Sequence, residues 1–169
     1  MKEKYDVPIA PLSEFVSYMM EQMSHFGLPC TEEQAKDFYL YYARMIETNK
    51  YLNLTGITDM KEVVIKHMID SLSCYDPEII KSGMSIIDIG TGAGFPGIPL
   101  AIYDRNLKVT LFDSLKKRLN FLESVIDELK LTNCTTLHGR AEDLSHQDYR
   151  ESFDIATSRA VARLPILLE

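Results

Sequence analysis

The sequence predicts an α/β protein, a parallel doubly wound sheet behind an N-terminal helical extension, and three observations carry that expectation. From Met84 onward, short β-branched apolar runs alternate with segments whose apolar residues recur every three or four positions, the pattern of βαβ units. The first run, Met84–Ile89, is apolar on both faces, as in a central strand covered by helices on each side. It ends in Asp88-Ile89-Gly90-Thr91-Gly92-Ala93-Gly94-Phe95-Pro96-Gly97, an acid and then a glycine-rich turn into a helix. Right-handed crossovers place the C-terminal ends of the strands along one edge, where chemistry is expected.

Taken in order, Leu12, Phe15, Val16, Met19, Met20, Met23 and Phe26 recur at helical spacing until Gly27 stops the pattern. A second helix is expected from Thr31, where Thr31 and Gln34 form a capping box, with Ala35, Phe38, Tyr42, Met45 and Ile46 on its apolar face. The polar and aromatic stretch Asn49–Gly56 has no period and reads as a loop or short turns. A third helix follows, with Asp59 as N-cap and Val63, Val64, His67, Met68, Ser71, Leu72 and Tyr75 as its buried stripe. His67, with Asp70 nearby, reads as a core or interface histidine, since no nucleophile is spaced to use it. Asp76-Pro77 and Ser82-Gly83 then separate a helical subdomain, residues 1–76, from a sheet domain, residues 77–169.

In the sheet domain, Ile98–Tyr103 starts the first helix, and Lys108–Phe112 forms strand two, ending at Asp113. Ser114 is expected to cap a helix carrying Leu115, Leu119, Leu122, Val125, Ile126 and Leu129. Cys134–Leu137 and Phe153–Thr157 are strands three and four.

The glycine turn is where a ligand is expected. Its alternating glycines let the backbone take positive φ and leave no Cβ between backbone and ligand. Pro96 and Pro99 fit the first turn of the following helix, whose free N–H groups suit a carboxylate or phosphate. Two ligands compete. Gly92-Ala93-Gly94-Phe95-Pro96-Gly97 matches G-x-G-x-x-G, and Asp113 lies about 20 residues beyond, as a dinucleotide fingerprint requires. Asp88 completes D-x-G-x-G-x-G, the arrangement typical of S-adenosylmethionine (SAM)-dependent methyltransferases. SAM carries an ammonium and a sulfonium and no phosphate, so an acid at the strand tip favours it and would repel a pyrophosphate.

Composition narrows the class. The 169 residues, 46% apolar and 25% charged, suit one folded unit with a sizeable core. No apolar stretch reaches membrane-spanning length, and the N-terminus has no signal-peptide core, so no membrane partner is expected. Cys30, Cys74 and Cys134 lie far apart, giving neither a zinc spacing nor a disulfide framework; no metal is expected, and the cytosol is the default compartment. A net charge of −7 argues against a general nucleic-acid binder. Charge is nonetheless uneven: residues 1–48 hold eight acids and four bases, residues 105–140 seven bases and four acids.

The remaining strand ends carry polar groups of matching chemistry. Asp113 stands where a carboxylate can accept from both ribose hydroxyls of an adenosine. After strand three, Gly139-Arg140-Ala141-Glu142-Asp143 reads either as a contact for adenine, through an acid and the Ala141 N–H, or as a solvated turn. Beyond strand four, Arg159 and Arg163 occupy an apolar segment, and arginine there suits a phosphate, a carboxylate or the Hoogsteen edge of guanine. The acid-or-Asn, Pro-Pro, aromatic motif of exocyclic-amine methyltransferases is absent. Lys116, Lys117 and Arg118 read as a solvated helix face that could add phosphate contacts.

Asn49-Lys50-x-x-Asn53-Leu54-Thr55, Lys66-His67-x-x-Asp70-Ser71, the Asp88–Pro99 segment, Asp113-Ser114 and Ser158-Arg159-Ala160 together resemble the RsmG family, also called glucose-inhibited division protein B. The resemblance covers most of residues 12–169 and implies a Rossmann-like methyltransferase that uses SAM, releases S-adenosylhomocysteine and modifies N7 of a guanine in 16S ribosomal RNA of the small subunit. It implies cofactor contacts at Gly90, Phe95, Ala141, Glu142 and Arg159, beside Asp88, Gly92 and Asp113 from the motif. Lys50, Asn53, His67 and Arg163 are the candidates for the RNA side. Guanine N7 carries a lone pair and no proton, so no general base is expected, and catalysis would rest on placement and electrostatics. The family's sheet continues beyond strand four, so the chain is expected to lack its C-terminal strands, leaving strand four at an edge with lowered stability or an opening for partner pairing. The competing expectations are an NAD(P)-dependent oxidoreductase and a SAM- or RNA-binding module without catalysis.

Overall fold

The computed structural model of the chain describes residues 7–140, 149 and 151–159. Helix α1 (Leu12–His25) buries Phe15, Met19 and Met23, and α2 (Glu32–Leu52) receives them: the Phe15 ring stacks on Tyr42 at 5.1 Å between centroids. The capping box at Thr31 forms as the sequence requires, Gln34 N–H donating to the Thr31 hydroxyl at 3.1 Å and Thr31 N–H to the Gln34 side chain at 2.8 Å.

The loop expected at Asn49–Gly56 begins four residues later, because α2 runs through Leu52 and closes on Asn53 with φ 49°. The fully buried Asn49 side chain accepts the Thr55 N–H and donates to the Thr55 carbonyl, both at 2.9 Å. That bracket satisfies both faces of a buried amide and folds the chain back at the helix end. A polar residue that looks like loop composition is thus the anchor of a turn.

The third helix has the expected N-cap, Asp59 accepting the Glu62 N–H at 3.0 Å, but it is not uniformly α. After α3 (Met60–Val63) the chain widens into a π-helical turn, Val64–Ile69, and closes as α4 (Asp70–Leu72). The wider turn buries Val64, His67, Met68 and Ile69 together, whereas α spacing would swing Ile69 away from Val64.

Four parallel strands follow: β1 (Ser85–Ile89), β2 (Lys108–Asp113), β3 (Cys134–His138) and β4 (Ile155–Ser158), in the order β3-β2-β1-β4. Ile87 pairs with Thr110 on one side and Ala156 on the other, so β1 is central and its C-terminal tip opens between β2 and β4. Strands one and four start later than expected, at Ser85 and Ile155, and the Asp154 carboxylate takes the Ser85 N–H at 2.7 Å and its hydroxyl at 2.8 Å, tying the two strand entrances together.

Helices α5 (Gly97–Tyr103) and α6 (Lys116–Leu129) make the crossovers. Ser114 does not cap α6. The helix is entered through an extended Leu115 with no capping side chain, and the Asp113 carboxylate takes the Leu115 N–H at 2.8 Å instead. One continuous core joins the parts, from Phe15 and Met19 through Tyr41 and Met68 to Ile98 and Leu122. Among the described residues no helix is long and apolar enough to cross a membrane, and no cluster of His, Cys, Asp and Glu could hold a metal ion.

Candidate active site

The glycine turn is built around Asp88. Its side chain is fully buried at the end of β1, and Oδ2 accepts the Thr91 hydroxyl at 2.6 Å and the Gly97 N–H at 2.8 Å. The N–H groups expected to meet a ligand at the start of α5 are therefore used within the chain, Gly97 by Asp88 and Ile98 by the Gly94 carbonyl at 2.8 Å. Asp88 Oδ1, equally buried, has no partner among the described residues. A lone carboxylate oxygen at this depth is costly unless a donor reaches it.

Gly90 (φ 69°), Gly92 (φ 60°) and Gly94 (φ 106°) carry the backbone through the left-handed region over this acid. The Phe112 carbonyl takes the N–H groups of Gly90 and Thr91 at 2.8 and 3.0 Å, and the Gly92 N–H reaches the Asp113 carboxylate at 2.9 Å. From below, the buried Tyr41 hydroxyl donates to the Ala93 carbonyl at 2.6 Å. Asp113, buried at the tip of β2, accepts from Gly92 on one oxygen and Leu115 on the other, with Arg118 3.6 Å away. Each oxygen keeps acceptor capacity for a further hydroxyl.

Across β1 stands the second half of the site. Arg159, just past β4, donates from one terminal nitrogen to Asp70 at 2.8 Å and the Lys66 carbonyl at 3.2 Å, and from the other to His67 Nδ1 at 3.0 Å. Its guanidinium carbon lies 5.0 Å from the centre of the Phe95 ring, which also stacks on His67 at 4.4 Å and meets Tyr41 at 5.4 Å. An arginine cannot accept, so Nδ1 is the acceptor and the imidazole proton sits on Nε2, which donates to the Thr55 hydroxyl at 2.8 Å. The π-helical turn presents His67 Nδ1, the Lys66 carbonyl and, just past its end, Asp70 to one guanidinium. Arg159 thereby bolts the helical part of the chain to the strand edge.

Asp88 and His67 titrate in opposite senses. Burial pushes the Asp88 carboxyl up to about 6 from an ordinary 3.8, against the pull of its bonds to Thr91 and Gly97. Burial, reinforced by the Arg159 charge, pushes the His67 imidazole down from 6.5 to about 4. Asp88 is raised in the folded state, so its contribution is full below its unfolded value and is lost as pH rises through about 6. His67 is lowered, so its contribution is full above 6.5 and is lost as pH falls through about 4. Between roughly pH 4 and 6 the two slopes oppose each other. Asp88→Asn is expected to lose stability on acidification through this window and His67→Asn to gain it, with the unmodified pair nearly flat. Thermal unfolding at fixed ionic strength reads all three, and parallel slopes would refute the assignment.

Of the residues singled out from the sequence, Asp88, Gly90, Gly92, Phe95, Asp113, Arg159 and His67 come together at this one edge. Lys50 and Asn53 lie exposed at the end of α2, beside Thr55 in sequence. Ala141, Glu142 and Arg163 lie outside the described residues. Tyr41, Thr55, Asp70, Thr91 and Gly97 are not among the site candidates that the sequence singles out, yet each holds a part of the site. The spacing of Asp88 to Thr91 and to Gly97 could have signalled two of them; nothing local links Tyr41 to Ala93.

Comparison with known proteins agrees with this geometry. The family model for rRNA small subunit methyltransferase G matches residues 34–169. The chain is 48% identical over 153 residues to the ribosomal RNA small subunit methyltransferase G of Leuconostoc mesenteroides, covering 89% of this chain and 64% of that one. The enzyme of the same name from Desulfitobacterium hafniense is 53% identical over 138 residues, 81% of this chain and 56% of that one. The chain thus spans a little under two thirds of the length of the curated relatives it matches. Two solved structures share the fold. One is a protein-L-isoaspartate O-methyltransferase from Plasmodium falciparum in complex with S-adenosylhomocysteine, with a TM-score of 0.54 and 19% identity over 91% of this chain and 77% of that one. The other is coclaurine N-methyltransferase bound to N-methylheliamine and S-adenosylhomocysteine, with a TM-score of 0.50 and 18% identity over 96% and 53%. The sheet is that of a Rossmann-like methyltransferase, and the chain belongs to the rRNA small subunit methyltransferase G family.

Proposed function

We propose that this chain is the cofactor-binding and catalytic part of a cytosolic enzyme that transfers a methyl group from SAM to N7 of a guanine in 16S ribosomal RNA of the small subunit, releasing S-adenosylhomocysteine. Family membership supports the reaction class. The observation that carries the cofactor is Asp88 Oδ1, a buried carboxylate oxygen beneath the glycine turn with no partner among the described residues. It suits an ammonium and would repel a pyrophosphate. Asp113, with acceptor capacity left on each oxygen, suits the two hydroxyls of a ribose.

When bound, SAM supplies a methyl group on a positively charged sulfur. The residues of this chain then have little proton chemistry to perform, since N7 is unprotonated at neutral pH. His67 is no base: Nδ1 is taken by Arg159 and the Nε2 proton is given to Thr55. We read it as the support of Arg159. Asp70 offsets the arginine charge, so positive charge can shift from sulfur to the base without facing an uncompensated guanidinium. We read Lys50, Asn53 and Arg163 as RNA-side groups, Ala141 and Glu142 as the adenine contact, residues 1–76 as the helical subdomain that carries part of the RNA face, and residues 77–169 as the cofactor domain.

Calorimetric titration with SAM, S-adenosylhomocysteine and NADH tests the cofactor. Binding of the first two and refusal of NADH is expected, with Asp113→Ala weakening both sulfur ligands about tenfold or more, as for loss of a charge-assisted bond. NADH binding with no SAM binding would favour the oxidoreductase suggested by the literal G-x-G-x-x-G.

A further inference from the structure

A groove of about 460 Å³ runs between the last turns of α2 and the first turns of α6, lined by Thr48, Tyr51, Leu52, Lys117, Asn120, Phe121 and Ser124. Its two walls belong to helices that also reach the glycine turn, α2 through Tyr41 and α6 through Leu122. On α6, the neighbouring Arg118 faces Asp113, and Leu122 packs under the glycine turn, where a Cβ on Gly94 would meet its Cδ2 at 2.8 Å. On α2, Tyr51 and Leu52 precede the turn that delivers Thr55 to His67.

The walls of the groove have the chemistry of a base slot. Tyr51 is a large aromatic left 78% exposed, and the buried Phe121 lines the same groove. Thr48 and Asn120 offer donors and acceptors, and Ser124 Oγ, donating to the Phe121 carbonyl, keeps acceptor capacity. Charge sets the direction. Of the run Lys116-Lys117-Arg118, Lys116 pairs with Glu123 and Arg118 with Asp113, whereas Lys117 has no ion-pair partner among the described residues and stands at the rim. The groove's continuation is closed to an anion by Glu47, Asp127 and Glu128, only partly offset by Arg44. A polyanion is therefore admitted at the Lys117 end and excluded at the other.

We propose that this groove is a single-nucleotide subsite for an unpaired residue of the substrate RNA next to the methylated guanine, its base stacked on Tyr51 and its phosphate held by Lys117. The inference rests on the rRNA-methyltransferase reading and adds to it where the flanking strand goes. Stacking on an aromatic ring needs no fixed hydrogen-bond pattern, so the slot tolerates any base.

The test uses the full chain saturated with S-adenosylhomocysteine, short single-stranded RNA of the target sequence, and methyl transfer to small ribosomal subunits. Tyr51→Ala is expected to weaken RNA binding about tenfold and to raise KM for subunits with little change in kcat, while Tyr51→Phe behaves as the parent. Lys117→Ala should weaken binding and lower the slope of log affinity against log salt by about one phosphate contact. Affinity for S-adenosylhomocysteine should not move in any of the three. Unchanged RNA affinity and KM in Tyr51→Ala, with a parent that methylates subunits, overturns this inference alone. A change in oligomeric state on Tyr51→Ala also overturns it, since the groove would then hold a second copy of the chain. A parent that transfers no methyl group overturns the enzyme reading itself.

Discussion

Gly97→Ala is expected to lower the melting temperature by about 6–12 °C and to remove most SAM binding. An added Cβ would stand 2.2 Å from Leu111 Cδ2 and 2.9 Å from Asp88 Oδ2, closer than a Cβ can remain to either. Neither neighbour can give way, because Leu111 is fully buried in the sheet and Asp88 Oδ2 is held by Thr91. Overpacking of this kind costs up to about 3 kcal/mol, which corresponds to that temperature shift for a chain of this size. The helix must move off the strand, and the Gly97 N–H is drawn from Asp88, so the turn above it loses its shape. Gly56→Ala is the control, since nothing lies within 4 Å of the Cβ it would add. Thermal unfolding and SAM titration of the two variants give the comparison, and equal behaviour would refute the packing argument.

The second large effect is expected at Arg159. Arg159→Ala removes the bonds to Asp70, Lys66 and His67 together with the cation over Phe95, and with them the link between the π-helical turn and the strand edge. Misplacement of reacting groups by about 1 Å can cost 10²-fold in rate, and a loss of about that size in methyl transfer is expected. His67 separates positioning from mere packing. His67→Phe retains a ring against Phe95 but offers no acceptor to Arg159, so turnover should fall about tenfold. His67→Asn can place an amide oxygen where Nδ1 stood and should recover part of it. Equal activity of His67→Phe and His67→Asn would show that the ring is only a filler.

Much of the fold was legible because its signals are local. The alternation of periods gave the parallel strands, the Thr31 and Gln34 pair gave the start of α2, and the glycines gave the turn. The first two errors share one cause, a composition signal overridden by a specific hydrogen bond that the pattern does not show. Asn49 reads as loop until its buried bracket on Thr55 is seen, and Ser114 reads as a cap until Asp113 takes the Leu115 N–H. The π-helical turn leaves no trace in the spacing of the third helix, since its stripe of Val63, Val64, His67 and Met68 suits an ordinary α-helix. At the site, the motif residues of β1 and β2 could be read directly, whereas the pairing of Arg159 with His67 spans 92 residues and exists only in the folded chain.

The most direct measurement incubates the chain with methyl-labelled SAM and undermethylated small ribosomal subunits, then maps the label by chain cleavage specific for N7-methylguanine. Label at one guanine N7, lost in Arg159→Ala, is the result expected. Label on an exocyclic amine or on protein, or SAM left untouched by a folded chain that binds it, would contradict the assignment of this strand edge as a guanine-N7 methyl-transfer site.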